Sequence, residues 1–197
     1  MMKEVDRYEL IFSGSGGQGI ILAAIIFAEA AGVHDGFYVC QSQSYGPEAR
    51  GGYSKAEVIM SKKPIDYPKA IRADLLLSMN QASCDHCFET LKPEGLLVVD
   101  ASLVPQVPTN RSVSIPFTEI ARKDVGKEMV ANMVALGAVG RISQSVSVKN
   151  LETVLVARVP KGTEETNLKA LRAGIKAAEA VDLSALPKTI IPEDDEL

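Results

Sequence analysis

The chain has 197 residues, a formal net charge of −4, 46% hydrophobic residues, 15 glycines and 3 cysteines. That length buries a full core and suits one domain over residues 1–185, with an extended acidic tail at 186–197. No basic block or aromatic-interleaved Lys/Arg patch is present, which excludes nucleic acid, and the odd cysteine count argues against a disulfide framework.

The longest apolar stretch, Ile20 to Ala31, is too short to span a bilayer and contains Glu29. The opening MMKEVDRYEL places acids where a signal peptide needs a basic and then an apolar run, so the expectation is a cytoplasmic protein without a membrane partner.

Tyr8 to Ser13 reads as a buried strand, Gly14 to Gly19 as a tight turn, and Gln18 to Ala31 as an apolar helix that Gly32 ends. Strand, glycine turn and helix in succession open a crossover unit of an α/β fold. Phe37 to Cys40 supplies a second short strand, Gln41 to Gly52 a polar loop, and Lys55 to Met60 a third strand. The runs Asp74 to Met79 and Gly95 to Asp100 are continuously apolar, as central parallel strands covered on both faces must be. Between them Gln81 to Leu91 reads as a helix closed by Lys92-Pro93-Glu94-Gly95, and Ser112 to Ile115 is one further strand.

From Phe117 the pattern turns helical. Glu128 to Ile142 holds Gly137 and Gly140 in its interior, where small residues let another backbone approach. Asn150 to Ala157 is a short helix, and Thr163 is placed to cap a last helix with Glu164 and Glu165 complementing its dipole. Leu168, Leu171, Ile175 and Ala178 share one face of it. The fold class is therefore Rossmann-like α/β: a mostly parallel central sheet flanked by helices, with a helical C-terminal third.

The turn Gly14-Ser15-Gly16-Gly17-Gln18-Gly19 contains G-x-G-x-x-G. Glycines there adopt positive φ, which a β-branched residue at Gly16 or Gly17 tolerates poorly, and free N–H groups at the helix start can hold an anion. A dinucleotide site also needs an acid at the end of the second strand; Gln41-Ser42-Gln43 stands there instead, and Asp35 precedes the strand. No Walker lysine follows. The turn alone leaves open a plain strand-to-helix connection or a ligand contact.

A second segment, Gln43-Ser44-Tyr45-Gly46-Pro47-Glu48-Ala49-Arg50-Gly51-Gly52, is more specific. With the glycine turn it closely resembles the gamma component (domain III type) of 2-oxoacid:ferredoxin oxidoreductases. The resemblance continues through Lys62 to Pro68, Ala73 to Gln81, Gly95 to Asp100 and Ala131 to Gly137, covering nearly the whole chain. Tyr-Gly-Pro-Glu-Ala-Arg-Gly-Gly looks more like the 2-oxoglutarate branch; pyruvate-branch relatives tend to carry a double arginine there.

The family converts a 2-oxoacid and coenzyme A to an acyl-CoA and carbon dioxide, passing electrons to ferredoxin. The resemblance implies a non-redox subunit without a catalytic residue or metal of its own. Thiamine diphosphate, magnesium and iron–sulfur clusters are then expected on alpha, beta and ferredoxin-like partners, and CoA is a substrate of the assembly. Candidate contacts with CoA or a neighbouring subunit are Gly14, Gly16, Gly17, Gln18, Gly19, Tyr45, Arg50 and Gly51. Arg50 could grip a phosphate through two parallel hydrogen bonds or pair with Glu48 or a partner's acid. The alternative is a stand-alone nucleotide- or CoA-binding module.

Asp74 and Asp100 fall at opposite ends of parallel strands, which favours caps over an acid–base pair. Cys84-Asp85-His86-Cys87 spaces two thiols as half a metal site, but only Cys40 and His34 remain as further ligands and neither has motif spacing. Reduced, metal-free thiols on a helix are expected, with the helix dipole able to lower a thiol pKa.

Overall fold

A computed structural model describes residues 7–45 and 53–189. Six strands form one sheet: β1 (Arg7–Ser15), β2 (Tyr38–Tyr45), β3 (Tyr53–Ser61), β4 (Ala73–Ser78), β5 (Leu91–Asp100) and β6 (Ser112–Ile115). Their order across the sheet is β2-β3-β1-β4-β5-β6. The pairs β1–β4, β4–β5 and β5–β6 are parallel, while β3 runs antiparallel to both β1 and β2.

Helices α1 (Ile20–Glu29), α2 (Gln81–Cys87), α3 (Phe117–Ile120), α4 (Ala131–Ser143), α5 (Val148–Arg158) and α6 (Glu164–Glu179) flank the sheet. The alternation of side chains along the strands divides the core. Leu10, Phe12, Leu75, Leu77 and Val98 face the cluster that α1, α4, α5 and α6 complete. Ile11, Leu76, Leu97 and Val99 face the other side, where Cys84 and Cys87 of α2 join them. Strands buried on both faces explain the continuous apolar runs.

Four expectations need correction. The polar stretch Gln41 to Tyr45, read as loop, continues β2 in register from Tyr38↔Ser61 to Tyr45↔Ser54. Lys92 to Gly95, read as a closing turn, lies within β5, where the pairing with β4 shifts register between Ala73↔Leu91 and Leu75↔Leu96. Gly32 does not end the first helix, which widens into a π turn over Ala30–His34, closed by Asp35 N–H donating to the Ala30 carbonyl at 3.1 Å. Thr163 precedes α6, but its hydroxyl donates to the Pro160 carbonyl and makes no cap bond to the helix.

The small residues act as expected. A Cβ on Gly137 would fall onto the Leu171 carbonyl of α6, and one on Gly174 onto the Val134 carbonyl of α4, so the two helices cross in backbone contact. Gly140 makes room for Leu151 of α5. On α6, Leu171 and Ala178 are buried, and Leu168 and Ile175 pack against the same core.

At β6 the C-terminal segment passes close by, with the Arg111 guanidinium donating to the Pro187 carbonyl. Most of the expected acidic tail lies outside the described residues.

Candidate functional site

The glycine turn stands at the carboxyl end of β1, beside the carboxyl end of β4. From there α1 crosses to one face of the sheet and α2 to the other. Such a parting of connections leaves a crevice, the usual ligand position in open α/β sheets.

The turn is built by amides. Gln18 Oε1 accepts from the Ser15 N–H at 2.7 Å and from Asn80 Nδ2 at 3.4 Å, while Gln18 Nε2 donates to the Met79 carbonyl at 3.4 Å. One side chain thus ties the ends of β1 and β4. Asn80 also caps α2, accepting from the Ser83 N–H at 2.8 Å. Asn132, buried at the start of α4, donates to the Gly19 carbonyl at 3.0 Å.

Gly17 and Gly19 hold φ of 92° and 70°, angles that L side chains rarely adopt, and Gly19 also faces the Asn132 amide, which a Cβ would strike. Gly14 is needed for a different reason: a Cβ there would lie 2.7 Å from Gln18 Oε1 and 2.8 Å from Ile20 Cγ1. The expectation of positive φ is not met at Gly16, which has no left-handed angle.

A cleft of about 360 Å³ opens beside the turn, bordered by Gly17, Gln18, Met79, Leu103, Glu128 and Met129. Met129 is 92% exposed and forms an apolar lip. Glu128 at the rim pairs with Arg122 at 2.8 Å.

Of the expected contacts, Gly14, Gly16, Gly17, Gln18 and Gly19 share this turn. Tyr45 is the last position of β2, two strands from β1 across β3. Arg50 and Gly51, with Glu48, lie outside the described residues. Asn80 and Asn132 were given no role by the sequence reading; each lies in a segment that carried the resemblance, but an isolated asparagine has no local signature of what it meets far along the chain.

The strand order also weighs against a dinucleotide module. There the second strand lies next to the first, so that an acid at its end reaches the ribose. Here β3 intervenes, and Asp35 is committed elsewhere: its carboxylate accepts from the Ser147 N–H at 3.0 Å and from Asn150 Nδ2 at 2.7 Å at the start of α5.

The strand-end acids serve as caps. Asp74 accepts from the Glu9 N–H at 2.8 Å and from Lys92 at 2.6 Å. Asp100, fully buried, accepts from the Ser102 N–H at 2.9 Å, the Thr118 N–H at 3.1 Å and the Thr118 hydroxyl at 2.5 Å.

Cys84 and Cys87 do lie on a helix, but their pKa values are raised rather than lowered. Burial, then the neighbouring Asp85, pushes Cys84 up to about 11, and burial raises Cys87 as well. His86 is exposed and stacks on Tyr53 with ring centroids 4.0 Å apart. Among the described residues no three His, Cys, Asp or Glu side chains come together as a metal site.

Comparison with known proteins agrees with this architecture. Residues 9–177 match the family model of pyruvate ferredoxin/flavodoxin oxidoreductase, and the chain belongs to that family. Within it the chain is a gamma-type subunit of a 2-oxoacid:ferredoxin oxidoreductase, part of an enzyme complex. A 2-oxoglutarate synthase subunit KorC from Methanocaldococcus jannaschii is 44% identical over 178 residues, which are 88% of this chain and 95% of that one. The crystal structure of a keto/oxoacid ferredoxin oxidoreductase gamma subunit from Geobacter sulfurreducens superposes with a TM-score of 0.82 at 44% identity, covering 89% of this chain and 98% of the other. A 2-oxoglutarate:ferredoxin oxidoreductase from Magnetococcus marinus, described with 2-oxoglutarate, coenzyme A and succinyl-CoA bound, shares the fold at a TM-score of 0.82 and 23% identity; the match covers 95% of this chain and 33% of that longer one.

Proposed function

We propose that the chain is the non-redox gamma subunit of a 2-oxoglutarate synthase, acting in the cytoplasm beside alpha, beta and ferredoxin-like subunits, with ferredoxin as electron acceptor. Likeness to the Methanocaldococcus jannaschii subunit and the form of residues 43–52 support the choice of oxoacid. The described residues do not fit a cluster or a magnesium-bound diphosphate: the only close cysteines are buried thiols with raised pKa, and no set of three ligating groups converges. The reading assigns thiamine diphosphate, magnesium and iron–sulfur clusters to the partners.

The observation that carries this reading is the cleft at the glycine turn, where the Glu128 carboxylate is paired with Arg122. An apolar lip at Met129 and Leu103, amide-tied walls and Glu128 at the rim suit an uncharged ligand segment or a partner's apolar side chain better than a phosphate. This chain would then form one wall of the path along which CoA reaches the shared active site. Its phosphates would fall to Arg50, whose planar guanidinium can hold two oxygens at once.

In the reconstituted complex, Arg50→Lys is expected to raise the apparent KM for CoA about tenfold while that for the oxoacid stays unchanged. Loss of assembly with an unchanged KM for CoA would move Arg50 to a subunit interface. Oxoacid-dependent dye reduction by the purified single chain would overturn the subunit reading.

A further inference from the structure

At the amino end of the sheet, opposite the glycine turn, residues 62–72 connect β3 to β4. This loop holds Lys62, Lys63, Lys69 and Arg72 against a single acid, Asp66, in a chain whose formal net charge is −4. Lys62, Lys69 and Arg72 are exposed, and between them Tyr67 and Ile71 are 54% and 69% exposed.

Charged side chains of the strands hold the loop's backbone. Glu9, 3% exposed, accepts from the Ile71 N–H at 2.7 Å and the Arg72 N–H at 3.0 Å. Arg7, paired with Glu9 at 2.5 Å, donates to the Tyr67 carbonyl at 2.9 Å and the Lys69 carbonyl at 2.6 Å. Glu57 on β3 accepts from the Ala70 N–H at 3.2 Å, and Pro64 and Pro68 restrict the chain further. A loop that only joined two strands would not need ion-paired groups from two strands to fix its shape. Fixing it in advance lowers the ordering cost of association.

We infer that the loop 62–72 is a preformed docking element for an acidic protein surface on another subunit of the same oxidoreductase, with Tyr67 and Ile71 as apolar anchors and Lys62, Lys69 and Arg72 as its exposed cations. Charge complementarity selects the occupant: a symmetric contact between two copies would set one cationic loop against the other, so the loop fits an acidic patch on a different subunit. Exposed tyrosine beside arginine is also the composition of interface anchors. Cations around such anchors steer encounter and weaken with salt. The inference rests on the subunit reading above.

The test uses the full chain co-purified with its partner subunits. Lys62→Glu, Lys69→Glu and Arg72→Glu together are expected to weaken association at least about tenfold at low salt, and Tyr67→Ala alone about tenfold. Melting temperature verifies that each variant is folded. Carbodiimide coupling, which joins amines to carboxylates in contact, is expected to link Lys62 or Lys69 to an Asp or Glu of a different subunit. If the wild type assembles and both variants assemble equally well at low salt, the inference fails and the subunit reading stands. Links only to another copy of this chain, or an altered CoA dependence with unaltered assembly, also overturn it. A wild-type chain that joins no complex overturns both readings.

Discussion

The two ends of the sheet are fastened by different chemistry. At the amino end Arg7 and Lys92 pair with Glu9 and Asp74, and those acids also hold backbone N–H groups, while Lys55 and Glu57 pair further along, opposite Ser13 and Ile11 of β1. At the carboxyl end the same task falls to Gln18, Asn80 and Asn132, with Ser13 and Ser78 hydroxyls 3.0 Å apart beneath them. Asp100 is the exception, a buried carboxylate held there by N–H groups and a hydroxyl. Ionic fastening fixes a loop firmly but responds to pH and salt. Amides fix a turn independently of both and bring no charge of their own to the neighbouring cleft, which suits an end that has to admit a ligand or a partner.

The largest effect is expected at the ionic end. Glu9→Ala leaves Arg7 without its acid and strands two loop N–H groups, and should cost about 3 kcal/mol in urea unfolding. A loss under about 1 kcal/mol would show that surrounding water replaces the carboxylate, and the contrast between the ends would collapse.

At the amide end, Gly19→Ala should cost about 1–3 kcal/mol, because strain at positive φ adds to collision with the Asn132 amide. Gly17→Ala meets open space and should cost only about 1 kcal/mol. Equal losses would mean that backbone angle alone matters there.

The smallest effect is the pH response of Glu57. Burial acts to raise its pKa, but the Lys55 ammonium, the Ala70 N–H and Lys69 together outweigh it and hold the group below its ordinary value. A carboxyl depressed in the folded state contributes stability that is fully present above its unfolded pKa and is lost as pH falls through the folded one. The wild type should therefore lose more stability than Glu57→Gln on acidification from about pH 5 downward. Parallel pH profiles for the two would remove the carboxyl from the account.

Much of the parallel framework was legible because its signal is local. The runs Asp74 to Met79 and Gly95 to Asp100 are apolar at every position that two covered faces demand, and the glycine turn sits between an apolar strand and an apolar helix. The extension of β2 was not legible: Gln41 to Tyr45 alternates polar with polar, and only pairing with β3 makes it a strand. The amide set was hidden for a related reason. Gln18, Asn80 and Asn132 meet across long sequence separations, and an amide side chain has no periodicity. Glu9 and Glu57 carry a signal of their own, a charge set inside an apolar strand, which in a buried sheet must find partners.

The crossing of α4 and α6 at Gly137 and Gly174 has a mechanical consequence. Two helices already in backbone contact cannot be pressed closer, and an interior packed to that density is poorly compressible. A subunit bearing on the outer face of α6 would meet a hard stop, and the load would pass through α4 into the sheet. The pair of helices would transmit that load as one body, without yielding at its crossing.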